Sequence, residues 1–92
     1  MLTAIVLIEA EADRIPEAAQ AIADLTGVDE VYSCAGDVDL IVVCRLADHE
    51  ALAELVPQHI SKVPGVRRTT THIAFRSYSG RETDDAFAIG LD

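Results

Sequence analysis

The chain has 92 residues, half of them hydrophobic, with 16 acids against 7 bases and a formal charge of −9. One domain with a thin core follows from that length, since so short a chain hides only about 60–65 % of its unfolded surface. The acidic balance argues against nucleic acid and anionic membranes as direct partners, because both need a basic surface.

With two Phe, two Tyr and no Trp, the core must be built from Ala, Val, Ile and Leu. Met1 is followed at once by Leu2-Thr3-Ala4-Ile5, with no basic region ahead of it, so no secretory signal is read. The apolar run Ala4 to Ile8 is too short to span a bilayer, and the expected location is the cytoplasm.

Leu2 to Ala10 reads as a strand that is apolar on both faces, which implies that both faces are covered. A helix is expected over about Arg14 to Thr26, capped by Asp13, with Pro16 in its first turn and Gly27 after its end. Ile15, Ala18, Ala19, Ile22 and Leu25 form its apolar stripe. Val28 to Ala35 and Val38 to Leu46 then form a hairpin, closed by a two-residue turn at Gly36-Asp37. In that register Cys34 faces Asp39 and Cys44 faces Asp29, so the two cysteines are not neighbours and form no disulfide.

Asp48 caps a second helix with the stripe Leu52, Leu55, Val56, His59 and Ile60, which Pro57 should kink or divide near Val56. Val63-Pro64-Gly65 stops it, and Val66 to Ser77 forms a fourth strand. Two strand–helix–strand units joined by a hairpin give a ferredoxin-like α+β fold, βαββαβ, with both helices on one face of a four-stranded antiparallel sheet. The other face would then be bare yet apolar, and another subunit is the simplest cover. Residues 1–77 make the domain, and 78–92 an extension. In that extension Thr83-Asp84-Asp85 suggests a helix start, and Phe87, Ile89 and Leu91 a segment that docks on a neighbour.

The polar residues give no catalytic, metal or cofactor set. His49 and His59 are too far apart for a metal pair, and His72 lies among threonines. Neither a Ser-His-Asp order nor a phosphate-binding glycine loop is found. Arg67-Arg68 could hold a carboxylate or simply be solvated. Asp37 and Asp39 admit two readings: Asp37 closes the turn and Asp39 bonds nearby backbone, or both face a ligand. Thr69 and Thr71 share one face of their strand and offer hydroxyls.

Gly36-Asp37-Val38-Asp39, the helix opened by Asp48, Val63-Pro64-Gly65-Val66 and Thr69-x-Thr71, in this order and spacing, resemble the effector-binding (RAM-type) domain of the Lrp/AsnC regulators. The likeness covers about Met1 to Ser77. It implies a ferredoxin-like domain that pairs sheet to sheet into a dimeric α+β barrel, with dimers assembling further, commonly to octamers. It also implies a small effector, typically an amino acid, held between dimers by Gly36, Asp37, Val38, Asp39, Thr69 and Thr71. Such regulators usually carry an N-terminal helix-turn-helix; this chain resembles the stand-alone form, which could join full-length relatives through the shared interface. Val38 departs from the family, which often has Tyr there. The alternatives are an oligomerisation module without ligand and a monooxygenase-like enzyme of the same barrel shape. The enzyme needs an aromatic, His or Asn set inside the barrel, which this aromatic-poor chain lacks.

Overall fold

The computed structural model describes residues 1–80. Strand β1 spans Leu2–Ala10, helix α1 Ile15–Ala23, β2 Val28–Ser33, β3 Leu40–Leu46, α2 His49–Gln58 and β4 Val66–Ile73. The sheet is antiparallel in the order β2-β3-β1-β4, the ferredoxin-like arrangement expected. The expected extension features at Thr83-Asp84-Asp85, Phe87, Ile89 and Leu91 lie outside the described residues.

Strand alternation divides the apolar residues between two faces. Ala4, Val6, Ile8 and Ala10 of β1 and Leu40, Val42, Cys44 and Leu46 of β3 are buried, and they cluster with Ala18 and Ile22 of α1, Leu52 and Leu55 of α2, and Ile60. That is the core. On the opposite face Ile5 pairs with Val43 and Leu7 with Ile41, and all four side chains are only half-buried. Glu30 and Tyr32 on one side and Thr70 and His72 on the other flank this apolar strip.

The helices depart from expectation at their ends. Asp13 does not cap α1; it lies within a 3₁₀ turn, Ala12–Arg14, that precedes it. The chain there is held from outside, by the Glu11 N–H donating to the Gly65 carbonyl at 2.8 Å. Pro16 does sit in the first turn of α1. That helix stops at Ala23, short of Thr26, and the following turns lead to Gly27, whose φ is +98°. That φ strains any residue with a Cβ, and a Cβ there would also push aside the end of the Leu46 side chain, so glycine is favoured.

Asp48 caps α2 as expected, its Oδ1 accepting from the Ala51 N–H at 2.9 Å. Rather than dividing near Val56, α2 runs through Pro57 to Gln58. It gives way at His59 (φ −125°, ψ −60°) to a 3₁₀ turn, Ile60–Lys62. Pro57 removes one donor, but the His59 N–H still reaches the Leu55 carbonyl at 3.1 Å, so the break comes after the proline.

Strand β4 ends at Ile73 instead of Ser77. Its partner β1 begins at Leu2, and the last rung is the Ala74 N–H donating to the Thr3 carbonyl at 2.9 Å. In that register Phe75 would fall opposite Leu2, the first residue of β1, and Arg76 and Ser77 have no residue of β1 left to pair with.

Candidate functional site

The hairpin is wider than its sequence suggests. Strand β2 ends at Ser33 and β3 begins at Leu40, so the connection is the loop Cys34 to Asp39 and not a two-residue turn. A tight turn with two left-handed residues would need positive φ at Asp37 as well as Gly36; only Gly36 has it, at +129°. The Cys34 N–H donates to the Asp39 carbonyl at 3.0 Å and closes the base of the loop. Cys34 therefore faces Asp39, as the sequence register has it. Cys44 faces Val28 rather than Asp29, because an irregularity between Val28 and Glu30 leaves Asp29 unpaired. Both cysteines are free thiols, and burial pushes the Cys44 thiol above its ordinary value.

Asp39 explains why the loop opens. Its N–H donates to the Ile8 carbonyl at 2.8 Å, which continues the β3–β1 ladder. The next rung would pair Ala10 with Val38. Instead the Asp39 Oδ2 accepts from the Ala10 N–H at 2.8 Å, and the Val38 carbonyl accepts from the Cys34 thiol at 3.5 Å. A side-chain carboxylate thus replaces a backbone acceptor at the end of β1. This is the backbone-bonding reading of Asp39. Asp37 is different: it is exposed, and it takes part in none of the ion pairs among the described residues.

Thr69 and Thr71 do share a face, the one carrying the helices: Thr69 pairs with Ile8 and Thr71 with Val6. Leu40, next to Asp39, and Thr69 therefore flank Ile8 from opposite sides, two strand spacings or about 10 Å apart. The sheet brings Gly36 to Asp39 and Thr69 to one end, with Thr71 a rung further along, but β1 separates the two groups within one chain. Arg67 and Arg68, read as solvated or carboxylate-holding, lie at this end too. They form long, exposed ion pairs with Glu11 and Glu9, each at 3.8 Å. These partners come from the strand register and leave no signal in the local sequence.

Neither of two surface hollows involves the loop. One, of about 420 Å³, lies at the opposite end of the sheet between Leu2, Ala47, His49 and Ile73. The other, about 330 Å³, lies between Leu25 and Thr26 on one side and Leu55 and His59 on the other. Among the described residues no three His, Cys, Asp or Glu side chains gather as metal ligands, and no helix is long and apolar enough to cross a membrane.

Comparison with known proteins decides the family. Residues 3–83 match the model of the Lrp/AsnC ligand binding domain. This chain belongs to the Lrp/AsnC family. An uncharacterised HTH-type transcriptional regulator of Pyrococcus furiosus is 37 % identical over 73 residues, covering 79 % of this chain and 49 % of the relative. The Lrp/AsnC chain thus spans about half the length of that curated relative. Family and relatives are transcriptional regulators, not enzymes. A solved protein of Thermus thermophilus superimposes with a TM-score of 0.81 at 46 % identity, covering 86 % of this chain and 99 % of that one. A transcriptional regulator of Neisseria meningitidis, solved as a complex with L-Met, shares the Lrp/AsnC fold at a TM-score of 0.77 and 15 % identity. That match covers 85 % of this chain and 52 % of that one.

Proposed function

We propose that this chain is a ligand-sensing assembly module. Two copies join their open sheet faces into a dimeric α+β barrel, dimers associate further, up to an octamer, and a free amino acid binds between dimers. The observation that carries this reading is the strip of Ile5, Leu7, Ile41 and Val43, which no part of the described chain covers. The Neisseria complex supports an amino acid as the ligand class. The separation of the hairpin loop from Thr69 and Thr71 supports a site completed by a second molecule. Gly36, Asp37, Val38 and Asp39 would come from one dimer, and Thr69 and Thr71 from the next. Through the same interface the module would modulate full-length Lrp/AsnC regulators.

Within this reading Asp37 takes the ammonium group, since the Asp39 carboxylate already holds Ala10. Backbone N–H groups of the loop take the carboxylate. A hydrogen bond to a charged group contributes roughly 1.5–3 kcal/mol, so Asp37→Asn should weaken binding about tenfold or more. Calorimetric titration of the twenty amino acids into wild type and Asp37→Asn tests the site. If none binds at millimolar concentration, the module is structural. Equal affinity in the two proteins would remove Asp37 from the site.

A further inference from the structure

The open face of the sheet is built in two matched rows. Across the four strands, His72 of β4 lies beside Ile5 of β1, then Val43 of β3, then Glu30 of β2. One step along the strands, Thr70 lies beside Leu7, Ile41 and Tyr32 in the same order. Each row thus has two apolar side chains at its centre and a polar one at either end. The ends differ in kind. On this face β4 carries Arg68, Thr70 and His72 and no acid, whereas β2 carries Glu30 and Tyr32 and no base. His72 and Glu30 are exposed, and neither takes part in an ion pair among the described residues. The other charges of the face have partners within the chain, Arg68 with Glu9 and Arg45 with Asp29.

A two-fold contact requires a patch that is complementary to itself. Two sheets meeting face to face keep their strands roughly aligned, about 10 Å apart, a gap that one His and one Glu side chain can bridge. The pair can then be turned in two ways. An axis along the strands exchanges the ends of each row. It lays β4 over the partner's β2, Ile5 over the partner's Val43 and Leu7 over the partner's Ile41, and sets the N–H donors of His72 against the carboxylate of the partner's Glu30. An axis across the strands instead lays β2 on β2 and β4 on β4. The acidic margin then faces itself, and Glu30 meets the partner's Tyr32, a residue already hydrogen-bonded to its own Glu30.

We propose that two copies pair about an axis along their strands, so that His72 of each bonds Glu30 of the other. The inference rests on the face-to-face pair proposed above and adds which strand covers which. It also names the positions that select a partner. Like charges set opposite one another across an interface are costly, so a related chain with a base at the position of Glu30, or an acid at that of His72, is disfavoured in a shared dimer.

Charge reversal tests the orientation. Glu30→Lys and His72→Glu, both at exposed positions, should each raise the concentration at which the dimer dissociates in sedimentation by about tenfold. With both substitutions in one chain the new charges face each other across the pair, and dissociation should return to within about threefold of wild type. With the axis across the strands the double variant would face like with like and gain nothing. A double variant no stronger than the single ones, with wild type dimeric, would overturn the orientation and leave the face-to-face pair standing. A wild type monomeric throughout would overturn both. Benzoylphenylalanine in place of His72 gives a second readout. The irradiated, cross-linked dimer should carry its link in the partner's tryptic peptide 15–45, which contains β2 and β3. A link to the partner's β4 peptide, 69–76, would overturn the proposal.

Discussion

Asp39 makes three hydrogen bonds at once: its backbone closes the hairpin on Cys34 and extends the ladder to Ile8 of β1, and its carboxylate holds Ala10 at the end of the same strand. Asp39→Ala removes the acceptor of a half-buried N–H, which costs about 1–3 kcal/mol. Urea unfolding should show a lower midpoint with an unchanged slope, and an unchanged midpoint would mean that water replaces the carboxylate fully. Any loss of ligand binding in that variant would be mixed with this structural loss, which is why Asp37 is the better probe. The two thiols provide a second residue-scale test. Cys44 is 0 % exposed and its thiol is pushed up by burial, whereas Cys34 is only partly buried in the loop. A raised pKa means less thiolate at a given pH, so burial and ionisation both slow Cys44. Iodoacetamide at mildly alkaline pH should label Cys34 first, with Cys44 reacting only after unfolding; equal rates in the folded protein would contradict the packing described.

Among the elements, those whose local pattern and tertiary partners agree were legible in the sequence. Strand β1 lies where its apolar run places it, and α1 buries Ala18 and Ile22 of the stripe read from spacing. Asp48 precedes α2 by the rule for caps, and Asp48→Ala should cost about 0.5–2 kcal/mol in thermal or urea unfolding. No change on that substitution would mean that the Ala51 N–H is satisfied by solvent. Three of the misses trace to partners distant in sequence. The end of β4 is fixed by where β1 begins, the hairpin loop by Ala10, and the start of α1 by Gly65. None of these contacts leaves a signal in the residues next to Ser77, Asp37 or Asp13. The candidate site was legible as a loop and a threonine strand. Its division by β1, and the commitment of Asp39 to the backbone, became visible only with the strand register.

At the scale of the molecule, the described residues cover the sheet on one face only. Ile5, Leu7, Ile41 and Val43 form the centre of the other face, and polar residues of β2 and β4 form its margin. The margin carries its own interactions. The Tyr32 hydroxyl is pushed above its ordinary value, first by its side-chain hydrogen bond with Glu30 and then by desolvation and the nearby acids. An apolar centre with a polar rim is the pattern of a protein contact, and burying four such side chains is worth several kcal/mol at about 25 cal/mol per Å². The direct measurement is the sedimentation mass of wild type and Leu7→Asp across the micromolar range. Wild type should sediment as a dimer or a multiple of it. Leu7→Asp, with a carboxylate at the centre of the contact but outside the core, should remain folded and fall to the 9.9 kDa monomer. A wild type that is itself monomeric across that range, or a Leu7→Asp assembly as stable as wild type, would contradict the account.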